Sequence, residues 1–264
     1  DFVRLRLTGT VASEPSDASG TLMFDTARGT WSDAILDAVS VPRALLPSLG
    51  GSSEVLGAVT PQAAALTGLP SGTPVVGGGA DNACGAAGVG AVEPGDVVIS
   101  WGTSGTVLAP CAELRVDPAM RVHTFCHVAP NLWYLMGVVL SAGGAFAWFR
   151  DRLAPELSGL DDADLLLNRE AAAVPPGAEG VTFLPYLQGE RTPHRDASAR
   201  GAFLGLSLAH TRSHMTRAVL EAICFALRDS VSILGEMGIR SEALLLTGGG
   251  ARAPFLRSLQ AEVY

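Results

Sequence analysis

Short apolar runs that end in glycine dominate the pattern of this chain. Residues 75–76, 97–100 and 244–246 are mostly apolar stretches of strand length, and a glycine-rich turn follows each. Residues 106–108 predict a second strand that pairs with 97–100 around a tight loop. Glycine turns let backbone N–H groups approach an anion, but a plain tight turn explains any single case better. Three such turns make a phosphate site and a purely structural role equally good interpretations.

Helical periodicity is clearest in residues 215–234, where apolar side chains recur at spacings of three and four and predict an amphipathic helix. A shorter helix is predicted with Ser32 or Asp33 as its N-cap, and a final helix begins at Pro254. The nearly all-apolar stretch 133–149 is short for a membrane span. It predicts a buried strand that runs into a helix.

Turn residues divide the chain into two predicted domains. Glu93-Pro94-Gly95-Asp96 is a turn signal, and we place a boundary there, with domains 1–92 and 93–264. The polar, Asp-rich stretch 159–180 predicts a connection without regular structure.

Composition limits the classes of function. With 264 residues and 48% apolar content the chain can bury a substantial core. A net charge of -8 and a pI near 5.1 argue against nucleic-acid or membrane partners and favour small molecules. All 18 basic residues are arginine, which excludes a Walker A loop and a protein-kinase site, because both need a lysine.

The cysteines indicate a reducing compartment. They form no CxxC pair, and no secretory signal opens the sequence, so a cytoplasmic location is the simplest expectation. We interpret them as buried thiols, at Cys84, Cys111, Cys126 and Cys224.

Asp81 is the candidate catalytic residue, because it comes directly after a glycine turn. A carboxylate there could accept the proton of a substrate hydroxyl that attacks a γ-phosphoryl group, although helix N-capping is the alternative role. His123, Cys126 and His127 fit no zinc or haem spacing, so the metal ligands stay unassigned. The charged loop 190–196 predicts either a salt-bridge network or part of an active-site wall.

Several segments resemble xylulokinases of the FGGY carbohydrate kinase family over nearly the whole chain. The stretch from Gly201 through His214 to Glu221 resembles the signature of the family's C-terminal domain, which is the most specific of these motifs. The other segments are residues 1–9, 16–21, 77–82, 102–105, 183–194 and 247–252.

The resemblance implies an α/β fold of the actin-like, ribonuclease H-like ATPase class, with two domains and an interdomain cleft. Residues 1–92 would be the C-terminal part of the sugar-binding domain, and 93–264 most of the nucleotide-binding domain. The family's N-terminal Asp-x-Gly-Thr hairpin and Met-His-Gly segment are absent, as is the end of the second domain. We therefore expect a truncated chain in which both domains are incomplete.

The chemistry implied by the resemblance is ATP-dependent phosphorylation of D-xylulose to D-xylulose 5-phosphate. Asp81 would be the general base, Asn82 would contact the sugar, and Mg²⁺ would offset phosphate charge. The positions that would line the nucleotide are Gly102, Thr103, Ser104, Gly143, Gly249, Gly250, Ala251 and Arg252.

Two alternatives stay open at this point. Another kinase of the family, for ribulose, gluconate or glycerol, would share the same machinery, because missing N-terminal segments help to choose the sugar. A non-catalytic actin-like module would bind ATP without transfer, with Asp81 as a helix cap. The resemblance also suggests a homodimer as the assembly.

Overall fold

The computed structural model describes residues 1–157, 159–241 and 243–264 of the chain. The chain divides into two compact units, each with its own set of helices and strands. The first unit consists of Asp1–Pro94, Pro110–Arg115 and Thr124–Tyr134. The second unit consists of Gly95–Ala109, Val116–His123 and Leu135–Tyr264.

Short helices and two-stranded pairs build the first unit. The strand pairs are parallel β1–β4 and antiparallel β2–β3 and β5–β6. The helices are α1 (Phe2–Thr8), α2 (Pro15–Ser19), α3 (Asp33–Ala38), α4 (Pro61–Thr67) and α5 (Asp81–Gly88). The strands are β1 (Ala12–Ser13), β2 (Phe24–Asp25), β3 (Thr30–Trp31), β4 (Ser48–Leu49), β5 (Val55–Ala58) and β6 (Pro74–Val76).

Local capping and one aromatic cluster explain these elements. The Ser32 side chain accepts a hydrogen bond from the N–H of Ile35, which confirms the predicted N-cap of α3. Phe24 and Trp31 lie edge to face with ring centroids 5.9 Å apart. Leu36 of α3 is buried in the same cluster, so a hydrophobic core holds β2, β3 and α3 together.

The second unit contains most of a five-stranded sheet in the order β13-β7-β8-β10-β9. β13 is parallel to β7, and β7 and β8 form the antiparallel hairpin that the sequence predicts. The remaining strands of the chain are β7 (Val97–Trp101), β8 (Gly105–Cys111), β9 (His123–Cys126), β10 (Trp133–Val139), β11 (Thr182–Leu184), β12 (Ala202–Leu204) and β13 (Leu244–Gly248). The helices are α6 (Gly143–Leu153), α7 (Ala163–Ala172), α8 (Arg212–Glu236) and α9 (Pro254–Val263).

The predicted helices of this unit are confirmed. α8 covers the amphipathic segment, and α9 begins at Pro254, which occupies its first turn. The apolar stretch 133–149 is the buried strand β10 followed by α6, as expected. Among the described residues, no helix combines the length and apolar character that a membrane crossing requires.

The prediction of a connection over 159–180 is wrong, because α7 lies inside that stretch. Ala163, Leu167 and Ala171 recur every four residues and are buried, so they form one apolar helical face. This face packs against α8, and the acidic residues around it lie on the exposed side. The aspartates masked a helical period that the apolar positions carry.

Candidate active site

Asp81 begins α5 directly after the glycine turn that follows β6. Gly78 has a φ of 79°, which favours glycine, and its N–H donates to the Ser52 carbonyl at 2.9 Å. A Cβ on Gly79 would lie 2.2 Å from Cγ1 of Val128. The turn therefore needs glycine at position 78 for its positive φ and at position 79 because Val128 leaves no room for a side chain.

A buried arginine holds the other side of this turn. Arg4 is 5% exposed, and its guanidinium donates to the carbonyl oxygens of Gly77 and Ala12. It also forms an ion pair with Asp1 at 2.7 Å. These bonds fix the carbonyl that precedes the turn and satisfy a charge that would be costly to bury unpaired.

A cavity of about 290 Å³ opens in front of the Asp81 turn and is strongly acidic. The negative charge of this region also acts on the nearby Tyr134 hydroxyl. Burial raises the pKa of that hydroxyl, and the charges of Asp81 and Glu14 raise it further. The carboxylates that line the cavity are those of Asp1, Glu14, Asp17 and Asp81.

The Asp81 side chain is exposed, and its neighbour fixes its orientation. Oδ1 accepts from the backbone N–H of Asn82 at 2.7 Å and from the Asn82 side-chain amide at 2.9 Å. Asn82 is half-buried and is not among the residues that line the cavity. An oriented, accessible carboxylate of this kind can accept a proton.

A larger cavity of about 540 Å³ lies within the second unit. This volume is in the range of small-molecule sites. The walls come from the β7–β8 turn, from α6, from α7 and from the start of α9. The lining residues are Trp101, Gly102, Thr103, Gly143, Phe146, Ala147, Arg150, Asp164, Leu165, Asn168, Gly249, Gly250, Arg252, Ala253, Pro254 and Leu256.

Most of the nucleotide-binding positions predicted from the sequence meet at this cavity, and two do not. Ser104 and Ala251 are absent from its lining. The Ser104 carbonyl instead accepts from the Gly102 N–H at 3.0 Å, which closes the β7–β8 turn. The predicted positions that line the cavity are Gly102, Thr103, Gly143, Gly249, Gly250 and Arg252.

Close packing explains the glycines of this site. The N–H of Gly143 donates to the Gly102 carbonyl at 2.9 Å, and a Cβ on Gly143 would lie 2.5 Å from that oxygen. The Gly143 N–H is thus committed to the protein and is not presented to a phosphate. A Cβ on Gly250 would lie 2.6 Å from Cδ2 of Trp101, so this glycine also permits a contact that no other residue allows.

Sequence reasoning missed Trp101 and Arg150. Trp101 is 4% exposed and packs beneath Gly250, so its ring joins the two glycine turns. Arg150 lies seven residues after Gly143 on α6 and therefore on the same helical face, which is the signal that could have identified it. Its guanidinium donates to Asp151 at 2.7 Å and to Asp164 at 2.8 Å, and these bonds raise its pKa.

Hydrogen bonds hold the charged loop 190–196, which follows β11, in place. Buried Glu190 accepts from the N–H groups of Leu140 at 2.9 Å and Arg191 at 2.8 Å, and burial raises its pKa. The Thr192 hydroxyl donates to the Arg121 carbonyl at 2.7 Å. The loop is thereby tied to the end of β10, just before α6 and Gly143.

Family models and relatives identify the family of this chain. Residues 1–88 match the N-terminal domain, and residues 97–264 the C-terminal domain, of the FGGY family of carbohydrate kinases. The xylulose kinase of Escherichia coli K12 is 41% identical over 263 residues, which is 100% of this chain and 53% of that protein. The chain thus spans about half the length of the curated relatives that it matches.

Solved structures extend the agreement to the fold. A crystal structure of xylulose kinase from Rhodospirillum rubrum has a TM-score of 0.87 at 36% identity, covering 99% of this chain and 52% of that one. A gluconate kinase structure from Lactobacillus acidophilus has a TM-score of 0.89 at 30% identity, covering 98% and 52%.

The predicted α/β class, actin-like and ribonuclease H-like, is confirmed by this structural likeness. Family models together span most of the sequence, and they include both the Asp81 turn and the cavity of the second unit. The chain belongs to the FGGY family of carbohydrate kinases.

Proposed function

We propose that this chain belongs to an enzyme that transfers the γ-phosphoryl group of ATP to D-xylulose, with Asp81 as the general base. The observation that carries the proposal is the exposed Asp81 carboxylate, which is oriented by Asn82 and lines an acidic cavity. Relatives that are xylulose kinases support the choice of sugar, since they align with all of this chain.

The reaction requires one proton transfer and one phosphoryl transfer. Both hydrogen bonds from Asn82 fall on Oδ1 of Asp81, so we assign Oδ2 as the oxygen that takes the proton of the sugar hydroxyl. The hydroxyl oxygen then forms a bond to the γ-phosphorus, while the bond from that phosphorus to the bridging oxygen breaks and ADP leaves. Positioning supplies most of the acceleration in transfers of this type.

We assign ATP to the cavity of about 540 Å³ in the second unit. Arg252 places a guanidinium on its wall, which favours a polyphosphate, whereas the charge of Arg150 is paired with Asp151 and Asp164. The apolar side chains of Phe146 and Leu256 offer a surface to the base. Because phosphate recognition here rests on arginine, it needs no lysine.

Mg²⁺ is the metal that we assign to this reaction. Within the described residues, no group of three or more His, Cys, Asp or Glu side chains is arranged to hold a metal. Nucleotide-bound Mg²⁺ needs only one or two carboxylates besides phosphate oxygens, and the exposed Asp17 carboxylate lines the same cavity as Asp81. When bound, the ion would offset negative charge on the transferred group.

Gluconate is the second candidate substrate, because the Lactobacillus acidophilus relative with a similar fold is a gluconate kinase. The acidic cavity argues against it, since four carboxylates would repel the carboxylate of gluconate. D-Xylulose is uncharged and meets no such repulsion.

We place the reaction in the cytoplasm, where ATP is supplied.

The test is sugar-dependent ADP release with ATP and Mg²⁺, in the chain and in a version extended to the full length of its relatives. We expect turnover with D-xylulose, little with gluconate, and loss of turnover in Asp81→Asn. Asp33→Asn is the matched control, because Asp33 is also exposed in the first turn of a helix. Equal activity in the two variants would reduce Asp81 to an acidic residue that stabilises the first turn of α5.

A further inference from the structure

A buried glutamate lies behind the Asp81 turn and takes no part in the transfer steps of the proposed reaction. Glu14 is 1% exposed and directly precedes α2. Its side chain accepts hydrogen bonds from the first N–H groups of that helix. Oε1 accepts from the N–H of Asp17 at 2.6 Å, and Oε2 accepts from the N–H of Ser16 at 2.8 Å. Such a carboxylate holds its neighbours at fixed positions, because both oxygens are committed to donors of the backbone.

Two serine hydroxyls complete this arrangement. The Ser16 hydroxyl donates to Oε1 of Glu14 at 2.5 Å, and the Ser52 hydroxyl donates to Oε2 at 2.8 Å. The glutamate therefore accepts four hydrogen bonds, two on each oxygen. A carboxylate that is fully engaged in this way is unsuited to bind a metal or a substrate itself.

Of the two serine hydroxyls, only that of Ser16 also bonds to the residue that precedes the proposed base. Ser16 Oγ accepts from the N–H of Ala80 at 2.9 Å, across a sequence separation of 64 residues. Ala80 directly precedes Asp81, so the chain of bonds runs from Ala80 N–H to Ser16 and on to Glu14. Successive hydrogen bonds of this kind polarise and strengthen one another.

We propose that Glu14 and Ser16 are positioning residues that set the place of Asp81 for proton transfer. This inference rests on the proposed function. Because Glu14 accepts a hydrogen bond from the Ser16 hydroxyl, the lone pairs of that hydroxyl face the Ala80 N–H. The start of α5 is thereby fixed from one side, while Arg4 holds the carbonyl of Gly77 on the other.

Capping of α2 alone would not require this connection. A cap needs only the bonds from the N–H groups of Ser16 and Asp17, whereas the Ser16 hydroxyl reaches a distant part of the chain. Glutamine in place of Glu14 would turn one oxygen into a donor facing a backbone N–H. The carboxylate is thus needed for its acceptor capacity on both sides.

Ser16→Ala and Ser52→Ala form a matched pair for the test. Each removes one hydroxyl that donates to Glu14, but only Ser16→Ala breaks the bond to Ala80. The first measurement is amide hydrogen exchange of the chain at Ala80, which does not depend on turnover. We expect roughly tenfold faster exchange in Ser16→Ala than in Ser52→Ala.

The second measurement is the kinase assay described for Asp81. We expect kcat to fall roughly ten- to a hundredfold in Ser16→Ala with an unchanged KM for ATP, while Ser52→Ala stays close to wild type. Equal exchange, or equal kcat, in the two variants of an active enzyme would overturn the positioning role. A wild-type enzyme without sugar-dependent turnover would instead overturn the proposed function, and the positioning role with it.

Discussion

Replacing Gly143 by alanine tests the packing of the nucleotide cavity. The new Cβ would lie 2.5 Å from the carbonyl oxygen of Gly102, and that oxygen is held by the Gly143 N–H at 2.9 Å. Relief requires the start of α6 or the β7–β8 turn to shift, because the atom that is met belongs to the backbone. Overpacking of this kind costs about 1–3 kcal/mol of unfolding free energy.

The same shift displaces Gly102 and Thr103, which line the cavity with Gly143. We expect the Kd for ATP, measured by titration calorimetry, to rise about tenfold, which corresponds to about 1.4 kcal/mol. Urea denaturation of the same samples gives the change in stability.

Gly235→Ala is the control, because Gly235 lies in α8 and an added Cβ would meet no atom within 4 Å. It should stabilise the chain by about 0.5–1 kcal/mol and leave ATP affinity unchanged. Close packing at Gly143 would be refuted by a Gly143→Ala variant that binds ATP like wild type and is as stable as Gly235→Ala.

Two further predictions concern stability. Leu167→Ala should lower the unfolding free energy by about 2–5 kcal/mol, whereas Leu165→Ala, at a side chain 47% exposed, should have a small effect; equal losses in urea denaturation would contradict the packing of α7. The Arg121 hydrogen bond holds the pKa of buried Asp117 below its usual 3.8, so the ionised form stabilises the fold at neutral pH. The stabilisation by ionised Asp117 should disappear as the pH falls below 3.8 and through the pKa of the folded state. If the urea midpoints of wild type and Asp117→Asn vary equally with pH, this prediction is wrong.

Local signals in the sequence were sufficient for much of the fold. Ser32, Pro254 and the period of α8 act within a few residues of the elements that they define, so they can be recognised without tertiary information. Asp81 could also be chosen as a candidate, because a glycine turn and a carboxylate lie close together in the chain.

Other features depend on contacts between distant residues. Ser16 meets Ala80 across 64 positions, and Trp101 meets Gly250 through the pairing of β7 with β13. Nothing at either position signals the partner. The segment 159–180 failed for another reason, since charged residues hid the apolar face of a helix.

Phosphoryl transfer to an uncharged sugar can be followed through the fate of labelled phosphate. The version extended to the length of its relatives would be given ATP labelled at the γ-phosphate, Mg²⁺ and either D-xylulose or gluconate. We expect label in a D-xylulose phosphate ester, and no labelled ester after Asp81→Asn. Label found only in inorganic phosphate, or transferred mainly to gluconate, would contradict the proposed function.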